Sequence, residues 1–141
     1  MEGSVVQDFK KLSVWGKAHK VTLRDYEATR RFPCEELFCL TQQMRRSSSS
    51  IPNNSAEGCG RGTAADFARF LQMAMGSACE LEYQLIPARD LGHLPADHYS
   101  ELDSNVCEVK RMLVALLDRV RSSAQERPAF SGRQQQVPHA D

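Results

Sequence analysis

The stretch TAADFARFLQMAMGSACELEYQLIPA, Thr63 to Ala88, decides the fold. Within it Phe67, Leu71, Ala74, Ala78, Leu81, Leu85 and Ala88 follow one another at alternate steps of four and three residues. Only an α-helix brings such positions onto one face. A stripe this long is the seam of a helical bundle. Thr63, with Asp66 three residues on, is a capping-box start in which Asp replaces the usual Glu. Pro87 is expected to bend or shorten the helix near its end. Leu91-Gly92-His93-Leu94-Pro95 then breaks the chain, with Gly past the helix end and Pro opening the next one.

The same pattern continues on both sides. Tyr99, Leu102, Val106, Val109, Leu113, Leu116 and Val120 repeat the three–four alternation and predict another helix. Upstream, Leu37, Leu40, Thr41, Met44, Ser48 and Ile51 are helically spaced, and the segment opens near Glu35 or Glu36, where acids suit the helix dipole. Ser47 to Ser50 are expected to weaken this helix, Pro52 to kink or interrupt it, and Gly58, Gly60 and Gly62 to end it. A first helix runs from about Val14 to Arg31, with Val14, Trp15, Ala18, Val21, Thr22 and Thr29 on one side, and Phe32-Pro33 stops it. No segment of useful length alternates with a strand's period of two. From Ala124 the periodicity disappears among Pro128, Gly132, three glutamines and Pro138, the composition of an unfolded tail. The expected architecture is all-α: an antiparallel up-down four-helix bundle over residues 13–123, an N-terminal arm over 1–12, and a disordered C-terminal tail over 124–141.

Composition fits one such domain. The 141 residues carry 18 Lys plus Arg and 18 Asp plus Glu, which excludes a globally basic nucleic-acid coat protein and an acidic disordered tail protein. The charge is nevertheless polarised: residues 1–62 hold ten cations against seven acids, and residues 63–123 hold six against nine. No apolar run reaches a membrane span, and Met1-Glu2-Gly3 opens no cationic, then apolar, leader. A soluble cytoplasmic protein is expected. Cys34, Cys39, Cys59, Cys79 and Cys107 form no C-x-x-C pair and read as reduced thiols acting as small apolar residues.

Catalytic and metal chemistry find little support. No Glu-x-x-His pair of the di-metal bundle type occurs, and Asp90-x-x-His93, the nearest approach, straddles a predicted helix end. No nucleophile motif is present, so neither an enzyme nor a cofactor is expected. Gly58-Cys59-Gly60-Arg61-Gly62 follows a helix rather than a strand and lacks the Walker Lys-Ser/Thr pair, which favours an interhelical loop over a nucleotide site. Arg61 does stand beside a helix N-terminus, where free N–H groups favour anions. On the first helix Lys17, Lys20, Arg24 and Arg31 share a narrow face away from the apolar side, diluted only by Glu27, and Arg45-Arg46 adds a second cluster. These seven cations are the candidate phosphate contacts; the alternative is an ordinary solvated face. No aromatic residues interleave them, which favours duplex or structured RNA over a single-strand stacking platform. On the third helix Met75, Cys79, Tyr83 and Ile86 form a second apolar stripe roughly 120° from the seam. They either widen the core or, the sharper reading, form an oligomer interface.

Val14-Trp15-Gly16-Lys17-Ala18-His19, Arg31-Phe32-Pro33 and Leu40-Thr41-Gln42-Gln43-Met44-Arg45-Arg46 resemble the four-helix-bundle proteins encoded in intervening sequences of bacterial 23S ribosomal RNA genes. The strongest match is Ser50-Ile51-Pro52-Asn53-Asn54-Ser55-Ala56-Glu57-Gly58 with Gly60-Arg61-Gly62. It continues through Phe67 to Leu71, Ala74, Gly76-Ser77, Glu80-Leu81-Glu82 and Leu91-Gly92. The resemblance implies a bacterial bundle that assembles into a homopentameric ring. Distant relatives serve as accessory subunits of diversity-generating retroelements, so the resemblance also implies RNA or DNA as a partner. A scaffold that recruits a nucleic-acid enzyme such as a reverse transcriptase is the alternative. The chain departs from the family at Ser47 to Ser49 and Ser55, usually apolar, and at Pro87 in a normally regular helix.

Overall fold

The computed structural model describes residues 8–139, with side chains over 8–123. Four helices make up the body: α1 (Ser13–Thr29), α2 (Gln42–Cys59), α3 (Ala64–Asp90) and α4 (Ala96–His139). No strand occurs among the described residues. Hydrogen bonds and ion pairs between helices set the register. Thr22 meets Ser48 while Thr29 meets Arg45, Ser47 meets Gln84 while Ser50 meets Ser77, and Glu82 meets Lys110 while Gln72 meets Arg121. Lys17 meets Glu108 while Arg24 meets Glu101, closing α4 onto α1. In every pair the numbers fall on one helix as they rise on the other, the register of antiparallel neighbours.

All seven seam residues of α3 are buried, most of them completely, and the α4 face from Leu102 through Val106, Val109 and Leu113 to Leu117 meets them. Leu116 and Val120, expected in that face, are only half-buried, because the 3.6-residue turn drifts against a strict three–four repeat. The backbone of α4 continues to His139, while the tail expected over 124–141 falls on residues whose side chains lie outside the described ones. At the other end, Phe9 in a short 3-10 turn (Phe9–Lys11) packs edge-on against Trp15, with ring centroids 5.1 Å apart.

The caps follow the sequence closely. Thr63 Oγ1 accepts from the Asp66 N–H at 3.2 Å, as the capping motif predicts. Gly92, at φ 82°, ends α3 with His93 N–H bonded to Ala88 O and its own N–H to Arg89 O, a Schellman arrangement. Between α2 and α3, Gly58 packs so closely on α3 that an added Cβ would lie 2.9 Å from Phe67 Cδ1 and 3.0 Å from Phe70 Cβ.

Helix α2 corrects three expectations. It does not begin at Glu35: a 3-10 turn (Cys34–Glu36) and a π-turn (Leu37–Thr41) precede it, with Cys39 outside helical φ/ψ. Pro52 does not interrupt it. The N–H that proline lacks would have bonded Ser48 O, and Thr22 Oγ1 on α1 donates to that oxygen instead at 2.8 Å. The serines do not leave a weak spot. Ser47 donates to Gln84 Oε1 at 2.6 Å, Ser48 to Asp25 Oδ2 at 3.1 Å, and Ser50 and Ser77 are joined hydroxyl to hydroxyl at 2.8 Å. Small polar residues here let α2 approach α1 and α3 closely. The cysteines are corrected too: only Cys59 is fully buried, whereas Cys34, Cys39 and Cys79 are exposed.

Candidate nucleic-acid interface

The seven candidate cations separate into three places. Lys17, Lys20, Arg24 and Arg31 lie along the side of α1 that borders α4, and two of them are answered by acids. Lys17 Nζ stands 3.3 Å from Glu108, and the Arg24 guanidinium bonds Glu101. Seven-residue spacing on both helices pairs these charges across the groove, as flanking charges do in coiled coils. Each pair is exposed and adds little stability, but each also cancels a charge that a phosphate would need. Arg31 and Arg24 line a cleft shared with Glu27, His98 and Glu101. Lys20 and Arg31 are exposed and, among the described residues, enter no ion pair. So is Arg30, which precedes Arg31 and lies one helical step off the Lys17–Arg31 stripe.

Arg45 and Arg46 form the second place. Arg45 is laid over the Tyr26 ring, 4.8 Å from its centroid, and its Nε donates to Thr29 Oγ1 at 2.8 Å. Arg46 is exposed. Together they border a groove that also contains Leu37 and Phe38. The expectation that no aromatic side chain accompanies the cations is therefore overturned. Tyr26 comes from α1, and no single-helix wheel could join it to α2, whereas Phe38 stands seven residues before Arg45. Arg61 occupies the third place and is already engaged: it lies 3.8 Å from Glu57 and 3.9 Å from Asp66, with Phe70 beneath it at 5.0 Å. Asp66, in the first turn of α3, already takes the role an anion would fill there.

Behind the Arg45 site lies a group that sequence inspection missed. Asp25, on the apolar face of α1, is fully buried, and its Oδ1 has no hydrogen-bond partner. Burial pushes its pKa up to about 7, against the opposing pull of the Ser48 hydroxyl and the Arg45 charge. The signal was a lone acid four residues after Val21 and four before Thr29, both inward-facing.

Metal chemistry is not assembled at Asp90 and His93: Asp90 pairs with Arg89, and His93 Nε2 is 3.0 Å from Glu36. Glu82, Asp103 and Cys107 do converge within 4.8 Å of one another. Lys110 Nζ, 2.6 Å from Glu82, supplies the positive charge there and holds that carboxyl below its ordinary range, while burial raises the Cys107 thiol. Of the second apolar stripe, Met75 packs partly against its own core, whereas Cys79, Tyr83 and Ile86 face outward, Tyr83 at 65% exposure. Among the described residues no helix is long and apolar enough to cross a membrane.

The profile described as "23S rRNA-intervening sequence protein" matches residues 10–115. Among solved structures, a protein of unknown function from the S23 ribosomal protein family of Bacteroides thetaiotaomicron superposes with a TM-score of 0.69 at 24% identity, over 74% of this chain and 97% of that one. This likeness shows a shared fold. No curated protein matches the chain.

Proposed function

The chain belongs to the 23S rRNA-intervening sequence protein family, and from that premise we propose that it is a non-enzymatic, self-associating bundle that binds the phosphates of RNA or DNA. The observation that carries this proposal is that Lys20, Arg30, Arg31 and Arg46, exposed and without an ion pair among the described residues, all belong to the α1–α2 half of a chain whose net charge is zero. Self-association, pentameric on the family resemblance, would repeat this modest face and raise its avidity through effective concentration. Tyr83 and Ile86, large apolar side chains left outside the core, are the candidate contact between copies.

Fluorescence anisotropy across a salt series tests the proposal, because each phosphate contact releases counterions and steepens the fall of affinity with salt. Replacing Lys20, Arg31 and Arg46 together by Gln is expected to weaken binding at least tenfold at low salt and to flatten the slope by about three. The variant Lys17→Gln/Arg24→Gln, whose cations are already paired, is expected to lose much less. Absence of any RNA or DNA binding by the wild type at low salt would overturn the proposal and favour a scaffold that reaches nucleic acid only through a partner enzyme.

A further inference from the structure

The groove beside Arg45 and Arg46 combines three features that a phosphate-binding face alone does not require. Phe38 is 81% exposed, and its neighbour Leu37 is 47% exposed. The π-turn is responsible: it turns Leu40 and Thr41 inward and leaves residues 37–39 outside. Tyr26 forms the opposite wall, with the Arg45 guanidinium already laid on its ring and fixed by Thr29. The groove measures ≈ 380 Å³, and no acidic side chain lines it. The α1–α4 cleft differs in just this respect, since Glu27 and Glu101 stand among its cations. An exposed aromatic side chain in one groove with two arginines, and no acid among the lining residues, complements a flat π-surface that carries negative charge.

We propose that this groove binds an unpaired nucleotide of single-stranded nucleic acid, its base stacked on Phe38 and its phosphates held by Arg45 and Arg46. The proposal rests on the nucleic-acid function argued above and adds the class of strand. Stacking is open to any base, because every base presents a π-face, so it tolerates sequence. The Arg45 plane offers a second stacking surface that is already ordered, so little rotamer freedom is lost on binding. The interior base pairs of a duplex cannot enter in this way, since their bases are already stacked on both faces.

The test compares labelled oligo(rU), oligo(dT) and an RNA duplex of equal length on the full chain. Phe38→Ala, at a side chain the core does not use, is expected to lower affinity for the single strands about tenfold. It should leave the salt slope and duplex affinity unchanged. Arg46→Gln should weaken binding to all three and flatten the slope by about one. The tighter of the two single strands identifies RNA or DNA as the ligand, and 4-thiouridine in the strand should crosslink to the peptide carrying Phe38. Equal loss on single strands and duplex, or no loss at all, would overturn the stacking site. A smaller assembly mass for Phe38→Ala by light scattering would overturn it in favour of a contact between copies of this chain. A wild type that binds only duplex defeats this inference alone, whereas one that binds no nucleic acid defeats the function it rests on as well.

Discussion

Pro52 removes one N–H from α2, and the orphaned acceptor is Ser48 O, inside the bundle beside Thr22. An unpaired buried carbonyl costs about 1–3 kcal/mol, so Thr22 does for this helix what a backbone amide does elsewhere. Thr22→Val is therefore expected to destabilise the protein by about 1–2 kcal/mol. In a Pro52→Ala background, where the amide returns, that cost should fall by half or more; a denaturation double-mutant cycle reads the coupling. Asp25 acts at the same scale through its proton. Its folded pKa of about 7 lies above the ordinary 3.8, so the folded state holds the proton more tightly than the unfolded chain does. This contribution to stability is full below about pH 4 and is lost as pH rises through 7. Relative to wild type, Asp25→Asn is expected to gain stability between pH 4 and 7, at up to about 1.4 kcal/mol per pH unit, and to level off above. Urea midpoints across that range measure the gain.

At the scale of the element, α2 is built to be thin. Ser47, Ser48 and Ser55 are buried where larger apolar residues would hold the neighbouring helices further off, and Gly58 extends this close approach to its C-terminal end. Gly58→Ala is expected to cost about 1–3 kcal/mol, because its methyl would meet both the Phe67 ring and Phe70 Cβ. A lowered denaturation midpoint with an unchanged m-value would show that the fold persists. Helix α3 needed no such adjustment. Its seam, its Thr63 cap and its glycine stop were all legible, since each rests on local geometry that residues three or four apart enforce. The start of α2 was not legible: Glu35 and Glu36 satisfy the preferences of a helix N-terminus, yet the chain spends them on a 3-10 turn ahead of a π-turn.

For the whole molecule, the polarised charge resolves into contacts. Part of the α1 surplus is matched by Glu101 and Glu108 of α4, so the bundle's closing edge is laced by charge while Lys20, Arg31 and Arg46 enter no ion pair among the described residues. On α3, exposed Tyr83 and Ile86 lie away from the core, and burying a charge there between copies would be costly. Tyr83→Glu combined with Ile86→Glu is expected to reduce the assembly mass measured by light scattering while leaving helical circular dichroism intact. An unchanged mass would assign the contact to another face.

By itself the sequence determined that this chain is helical, where its seams run and how its helices end, because periodicity and capping are properties of neighbours along the chain. It also marked the cations, but not their use. Which cations are spent on acids, which aromatic side chains stand beside the rest, how Thr22 makes Pro52 tolerable and why the Asp25 pKa is raised were decided only when four helices came together. Most of those facts depend on groups far apart along the chain, such as Thr29 with Arg45 or Arg24 with Glu101. Distance through space sets desolvation, ion pairing and stacking, and position along the chain does not encode it.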